Sequence, residues 1–170
     1  MEQPGSQERV EALYRQFGPA IFRRCLKLLR DPAEAEDATQ EVFVRVFRSL
    51  DRFTYGDSAL PWIYQIATRL CLHRLRDGSR RDVARARLSP QQEAGGDLGR
   101  ALADRQTASR LLARFDERTA LIALHALVDG MTQEEVGQAL GLSRKTVGLK
   151  LNHFVERARA LLGSAPGSTP

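Results

Sequence analysis

Cysteine is nearly absent from this chain of 170 residues: Cys25 and Cys71 are the only two. Neither has metal-ligand spacing and each falls on an apolar helical stripe. Both therefore read as buried free thiols, and a disulfide framework is not expected. Histidine is almost as scarce, with His73, His125 and His153 scattered along the chain. No His/Asp/Glu cluster, nucleophile elbow or glycine-rich phosphate loop accompanies them. That argues against an enzyme such as a small metal-dependent nuclease, and it calls for no catalytic residue, no metal, no cofactor and no small-molecule substrate. Apolar runs are short, and none approaches the ~18 residues that would span a bilayer. The polar opening MEQPGSQERVE is not a signal peptide. Strand-type alternation is missing throughout, which leaves an all-α protein.

Lysine and arginine (26) exceed aspartate and glutamate (21), giving a net charge of +5. Such an excess permits nucleic-acid binding without proving it. The distribution is more telling, because acids concentrate before residue 42 and arginines crowd residues 69 to 87. Apolar periodicity predicts a helix from about Glu8 to Arg30, kinked at Gly18-Pro19. A second follows over about Pro32 to Leu50, and a third from near Pro61 to about Asp77. Helices resume near Leu98 and over Glu117 to Asp129. The expected organisation is two small helical domains, 8–77 and 98–163, joined by a flexible linker over 78–97 and followed by a disordered tail over 164–170. The linker residues could reach at most roughly 60 Å.

The segment DPAEAEDATQEVFVRVFRSL combines two characters in one helix. Asp31 before Pro32, with Glu34 three residues on, is a start signal with N-cap, N1 proline and capping-box acid. Glu34, Asp37 and Glu41 share one face, while Phe43, Val46, Phe47 and Leu50 form an apolar stripe. An acidic ridge on a basic protein suggests a basic protein partner. The alternative is a solvated helix face.

Thr132 to Leu162 carries the second strong signal. Thr132 with Glu135 forms a capping box, and Val136, Ala139 and Leu140 make a core face. Gly141-Leu142-Ser143 is a tight turn, and Ser143 caps a second helix whose Val147, Leu151, Phe154 and Ala158 point inward. This is the grammar of a helix-turn-helix, whose second helix enters the major groove of DNA. Ser143, Arg144, Lys145 and Thr146 sit at its exposed N-terminal end, with Lys150 and His153 further along. Gly148 and Leu149 lie on or beside the outward surface. Gly148 either lets the backbone approach DNA or weakens the helix locally. Leu149 is either a contact to a thymine methyl or sugar or a repacked core position.

AEAEDATQEVFVRVFRSLDRF, WIYQIATRLCLHRLRDGSRR and TQEEVGQALGLSRKTVGLKL, in that order and spacing, resemble the sigma-70 family of transcription initiation factors, in its small two-domain extracytoplasmic-function form. The resemblance covers about Val10 to Leu162. It implies that 8–77 is sigma region 2, which binds core RNA polymerase and the −10 element, and 98–163 is region 4, which reads the duplex −35 element. Glu34, Asp37, Gln40 and Glu41 would then dock on the polymerase clamp helices. The loop from Asp51 to Leu60 would take a flipped base of the single-stranded −10 element, with Phe53, Tyr55, Asp57 and Ser58 available as apolar cradle and polar edge. Packing against the domain core is the rival reading for Phe53 and Tyr55, and Trp62 reads as core-lining or as a stacking platform. Arg69, His73, Arg76, Arg80 and Arg81 would follow the −10 backbone. The family often has asparagine and aspartate where Arg69 and His73 stand, a departure that favours phosphate contact over base specificity. Ser143, Arg144, Lys145, Thr146, Lys150 and His153 would read the −35 element. The resemblance further implies a cytoplasmic bacterial protein and an anti-sigma factor, often membrane-bound, that holds it inactive at the inner membrane. The rival to this reading is a stand-alone dimeric helix-turn-helix regulator, which leaves the acidic ridge unexplained.

Overall fold

Local capping chemistry places most of the helix starts. In this computed structural model, which describes residues 5–53, 59–85 and 104–163 (backbone only at residue 52 and over 79–85), contacts divide the chain into two units, Met1–Arg74 and Leu75–Pro170. Helices α1 (Ser6–Leu29), α2 (Pro32–Ser49) and the first part of α3 (Ala59–Arg85) build the first unit. The second holds the end of α3 with α4 (Arg105–Leu112), α5 (Glu117–Ala123), α6 (Gln133–Leu140) and α7 (Arg144–Gly163). No strand occurs among the described residues.

In the first unit, α1 runs unbroken through Pro19. It stops at Arg30, a non-glycine residue in the left-handed region (φ 57°) whose N–H still reaches the Leu26 carbonyl at 2.9 Å. Asp31 then caps α2 by accepting the Glu34 N–H at 2.9 Å, with Pro32 at the first helical position. The core face of α2 is Ala35, Ala38, Val42 and Val46, with Phe43 beside it. The expected stripe was therefore a little out of phase. Phe47 is 51% exposed, because Val42 and not Phe47 completes the buried repeat of threes and fours. Phe43 tucks under Tyr14 with ring centroids 4.8 Å apart, edge to face.

Ile63, Ala67, Leu70 and Cys71 of α3 are buried, as are Ile21, Cys25 and Leu28 of α1, and the two helices meet at Arg24 with Thr68 and at Cys25 with Cys71. Arg24 lies in this interior at 2% exposure. Its Nε donates to Thr68 Oγ1 at 3.2 Å, and its guanidinium lies 4.7 Å from the Tyr64 ring centroid. A buried guanidinium is tolerated only with such partners. Cys25 and Cys71 are buried free thiols hydrogen-bonded to each other, and that bond together with burial pushes the Cys71 thiol up, keeping it neutral. The helix α3 continues past the expected end at Asp77 to Arg85.

Two D-x-x-T turns start helices in the second unit. Asp104 accepts the Thr107 N–H at 2.8 Å to start α4, and Asp116 accepts the Thr119 N–H at 3.0 Å to start α5. The expected helix over 117–129 changes register midway. Leu124–Val128 form a π turn, marked by Asp129 N–H to the Leu124 carbonyl at 3.2 Å. Gly130 (φ 70°) then ends the segment while Met131 N–H returns to the His125 carbonyl at 3.1 Å. Ile122, Val136 and Val147 form the core that α5, α6 and α7 share, with Met131, Leu142 and Leu151 packed against it.

Candidate partner and nucleic-acid interfaces

The exposed side of α2 carries Glu36, Asp37, Gln40, Val44 and Phe47. Asp37 and Gln40, two of the expected docking residues, are on it. Glu34 and Glu41 are half-buried, and both touch α3, Glu34 through its backbone carbonyl and Glu41 through its carboxylate. Arg74 Nη1 donates to the Glu34 carbonyl at 3.2 Å, and Arg74 Nη2 lies 3.0 Å from Glu41 Oε2. The other oxygen of Glu41 accepts from Arg45, at 2.5 Å from Nη2 and 3.1 Å from Nε. These arginines, Arg74 foremost, hold the Glu41 carboxyl below the usual carboxylate range. Glu41 is thus part of an Arg-Glu-Arg network and not a bare anion. Beside Gln40 and Glu36 runs an open groove floored by Gly18 and Pro19 and walled by Tyr14 and Phe22.

Arg69 and His73 are exposed on α3. Arg76 is not: it is half-buried, and its Nη2 donates to the Phe115 carbonyl at 2.6 Å, which engages part of the guanidinium inside the protein. Arg80 and Arg81 fall on the last turns of α3, their side chains outside the described residues, and Tyr55, Asp57 and Ser58 lie outside them altogether. Phe53 is half-buried and stacks on Trp62, with centroids 4.7 Å apart and planes 27° from parallel. Both rings are half-buried.

At the other end of the chain, Gly141 (φ 65°) ends α6 in the left-handed region, as the tight turn demands. Gly137 matters for a different reason. A Cβ there would stand 2.7 Å from the Leu142 carbonyl oxygen, so the turn folds back against bare backbone. Ser143 Oγ accepts the Thr146 N–H at 3.1 Å and lies 2.9 Å from Thr146 Oγ1, so both hydroxyls serve the cap. Arg144 and Lys145 project into solvent. Lys150, expected on the DNA side, leans back. Its Nζ donates to Thr119 Oγ1 at 3.3 Å and lies 3.6 Å from Asp116 Oδ2. Burial opposes ionisation of Asp116, but the Thr119 hydrogen bonds and Lys150 outweigh it and hold the carboxyl low. His153 is exposed and turns its ring edge to Phe115 at 6.1 Å.

Gly148 is resolved by α6. A Cβ at this position would lie 3.0 Å from Gln133 Oε1, so the glycine admits the Gln133 side chain. Leu149 is 64% exposed, which removes the core-position reading. Among the described residues, no group of three or more His, Cys, Asp or Glu side chains is placed to hold a metal, and no helix is long and apolar enough to cross a membrane.

Sequence reasoning missed Arg24, Arg74, Asp116, Gln133 and Gly137. Only Gly137, a glycine inside a predicted helix three residues before the end of its apolar face, left a signal that could have been read.

A three-helix unit with an acidic outer face and a capped helix-turn-helix with a cationic leading edge together define a helical DNA-binding protein that also meets a protein partner. Comparison with known proteins makes the class specific. The Sigma-70 region 2 family matches residues 13–81. The RNA polymerase sigma factor CarQ of Myxococcus xanthus is 30% identical over 94% of this chain and 92% of its own length. The extracytoplasmic-function (ECF) RNA polymerase sigma factor SigL of Mycobacterium tuberculosis is 25% identical over 90% and 88%. Two solved structures share the fold. CnrH, bound to the cytosolic domain of CnrY, has a TM-score of 0.52 at 22% identity, covering 94% of this chain and 91% of that one. The sigma factor RpoE of Bartonella quintana, bound to the anti-sigma factor NepR, has 0.50 at 17%, covering 91% and 96%. The chain belongs to the sigma-70 family, in its extracytoplasmic-function group. It is a promoter-specificity factor for transcription initiation, in preference to a stand-alone dimeric regulator.

Proposed function

We propose that the work divides by charge. Residues 8–77 act as sigma region 2, with Asp37 and Gln40 meeting basic residues of core RNA polymerase directly and Glu34 and Glu41 contributing through their contacts with Arg74. Residues 98–163 act as region 4, and 78–97 link the two. The observation that supports this most is that the exposed acids of α2 and the exposed cations Arg144 and Lys145 of α7 sit in separate units of one chain.

On the −10 element, the Phe53–Trp62 stack supports a role as apolar wall for an unpaired base, with Tyr55, Asp57 and Ser58 as the polar edge. Trapping such a base must offset an unstacking cost of a few kcal/mol. Arg69, His73, Arg80 and Arg81 supply phosphate contacts that are salt-dependent and blind to sequence. Arg76 contributes less than these, because part of its guanidinium is bonded to the Phe115 carbonyl. On the −35 element, Arg144 and Lys145 are the leading contacts of α7, with Ser143 and Thr146 shaping the helix start and His153 further along. Lys150 acts from its bridge to Thr119 and Asp116.

The chain performs no chemistry of its own in this reading, works in the cytoplasm, and is held inactive by an anti-sigma factor. Support for that partner comes from the two structural neighbours: CnrH is bound to the cytosolic domain of CnrY, and RpoE to the anti-sigma factor NepR. Run-off transcription with purified core polymerase on a promoter library is the test. Initiation at a defined subset of promoters is expected, and failure to initiate at any sequence would overturn the reading.

A further inference from the structure

We infer that Leu149 is a specificity-determining residue, reading the C5-methyl group of one thymine in the upstream duplex element. The inference rests on the reading of α7 as a major-groove helix. Leu149 is the most exposed large apolar side chain among the described residues, at 64%. It stands one turn after Lys145 and one turn before His153, all three exposed along the same side of α7.

The helix beneath it is fixed on its other sides. Val147 is in the shared core and Leu151 packs against it, Gln133 covers Gly148, and Lys150 is drawn to Thr119 and Asp116. Past the first turn, the exposed face offers Leu149, Asn152 and His153, and of these only Leu149 presents an alkyl group. An alkyl group neither donates nor accepts a hydrogen bond. Of the groups displayed in the major groove, the thymine methyl is the one that apolar contact favours. Lys145 and His153 on either side can hold phosphates and so set the register in which that methyl is met.

The test uses the full chain assembled with bacterial core polymerase and a duplex selected from a randomised upstream library. Each thymine of the selected element is replaced in turn by deoxyuridine, which removes only the methyl. At one position the wild-type complex should lose about fourfold in affinity, the worth of one buried methyl group. Leu149→Ala should bind the thymine and deoxyuridine duplexes equally. Leu149→Gln serves as a second exposed replacement, with matched thermal melting as the control on folding. If no thymine is sensitive, or if Leu149→Ala keeps the wild-type sensitivity while Lys145→Ala still weakens upstream binding, the methyl contact is wrong and the groove reading stands. If Lys145→Ala also leaves upstream binding unchanged, the groove reading falls and the inference with it.

Discussion

Arg74 and Glu41 join α3 to α2 through a 3.0 Å contact, in a pair separated by 33 positions in the chain. The same guanidinium holds the Glu34 carbonyl at 3.2 Å, so one side chain fixes the acidic half of α2 against the helix expected to follow DNA. Arg74→Ala should lower stability by about 1 kcal/mol, since the pair is partly exposed and its Coulomb energy is screened. Its effect should not add to that of Glu41→Gln. A double-mutant cycle on thermal melting measures the coupling.

The same contact makes stability depend on pH. Arg74, and after it Arg45, depress the folded value of Glu41 below 4.5. A depressed carboxylate contributes its stability in full above the unfolded value and loses it as the pH falls through the folded one. Melting temperature should therefore fall as the solution is acidified below about 4.5, and the slope there should be shallower in Glu41→Gln. An identical slope in both proteins would assign the acid sensitivity elsewhere.

Asp37 has a different environment. It is exposed, on the same side of α2 as Glu36 and Gln40. Asp37→Arg should abolish capture of core polymerase while leaving the melting curve unchanged, because reversing a charge at an exposed site costs little in the free protein but places like charges together at the interface. Retention of polymerase by this variant in a pull-down would remove the docking role.

The sequence revealed what is local. Asp31, Thr132 and Ser143 cap their helices where expected, and Thr132 with Glu135 closes the expected capping box, whereas at α2 the cap is the Asp31 carboxylate on the Glu34 N–H. The inward faces of α6 and α7 were legible for the same reason, since Val136, Val147, Phe154 and Ala158 follow a 3.6-residue period and all are buried. What escaped depends on partners far along the chain. Nothing in the sequence near Arg24 announces Thr68, and nothing near Arg76 announces the Phe115 carbonyl. Phe47 misled because its period allowed two phases and hydrophobicity alone chose the larger side chains. The acidic face of α2 was legible as a pattern, but the division between outward Asp37 and arginine-bound Glu41 needed the position of α3.

Gly137 can be tested directly. Its missing Cβ leaves room for the Leu142 carbonyl oxygen, which a methyl group would approach to 2.7 Å. The obstacle is backbone, so the turn itself must shift. Gly137→Ala should destabilise the second unit by about 1–3 kcal/mol, as overpacking does, despite the better helix propensity of alanine. Gly148→Ala meets only the end of the flexible Gln133 side chain and should cost far less. Comparing their melting curves separates close packing from propensity, because propensity alone predicts that both variants gain stability.

Lys145 and Lys150 stand on the same helix but differ in what holds them, and salt should tell them apart. Lys145 is exposed, whereas Lys150 is bonded to Thr119 and faces Asp116. A lysine that neutralises a phosphate releases a counterion, so its loss lowers the slope of log affinity against log salt by about one. Lys145→Ala should show that drop in upstream-duplex binding and leave polymerase affinity unchanged. Lys150→Ala should show a smaller one, because Asp116 already compensates its charge. Removing that carboxylate frees the lysine while keeping the helix cap, since asparagine caps as well as aspartate. Asp116→Asn should therefore tighten binding to duplexes of any sequence and steepen the salt dependence. Equal slopes for Lys145→Ala and Lys150→Ala would mean that Lys150 leaves Asp116 for the phosphates when DNA arrives.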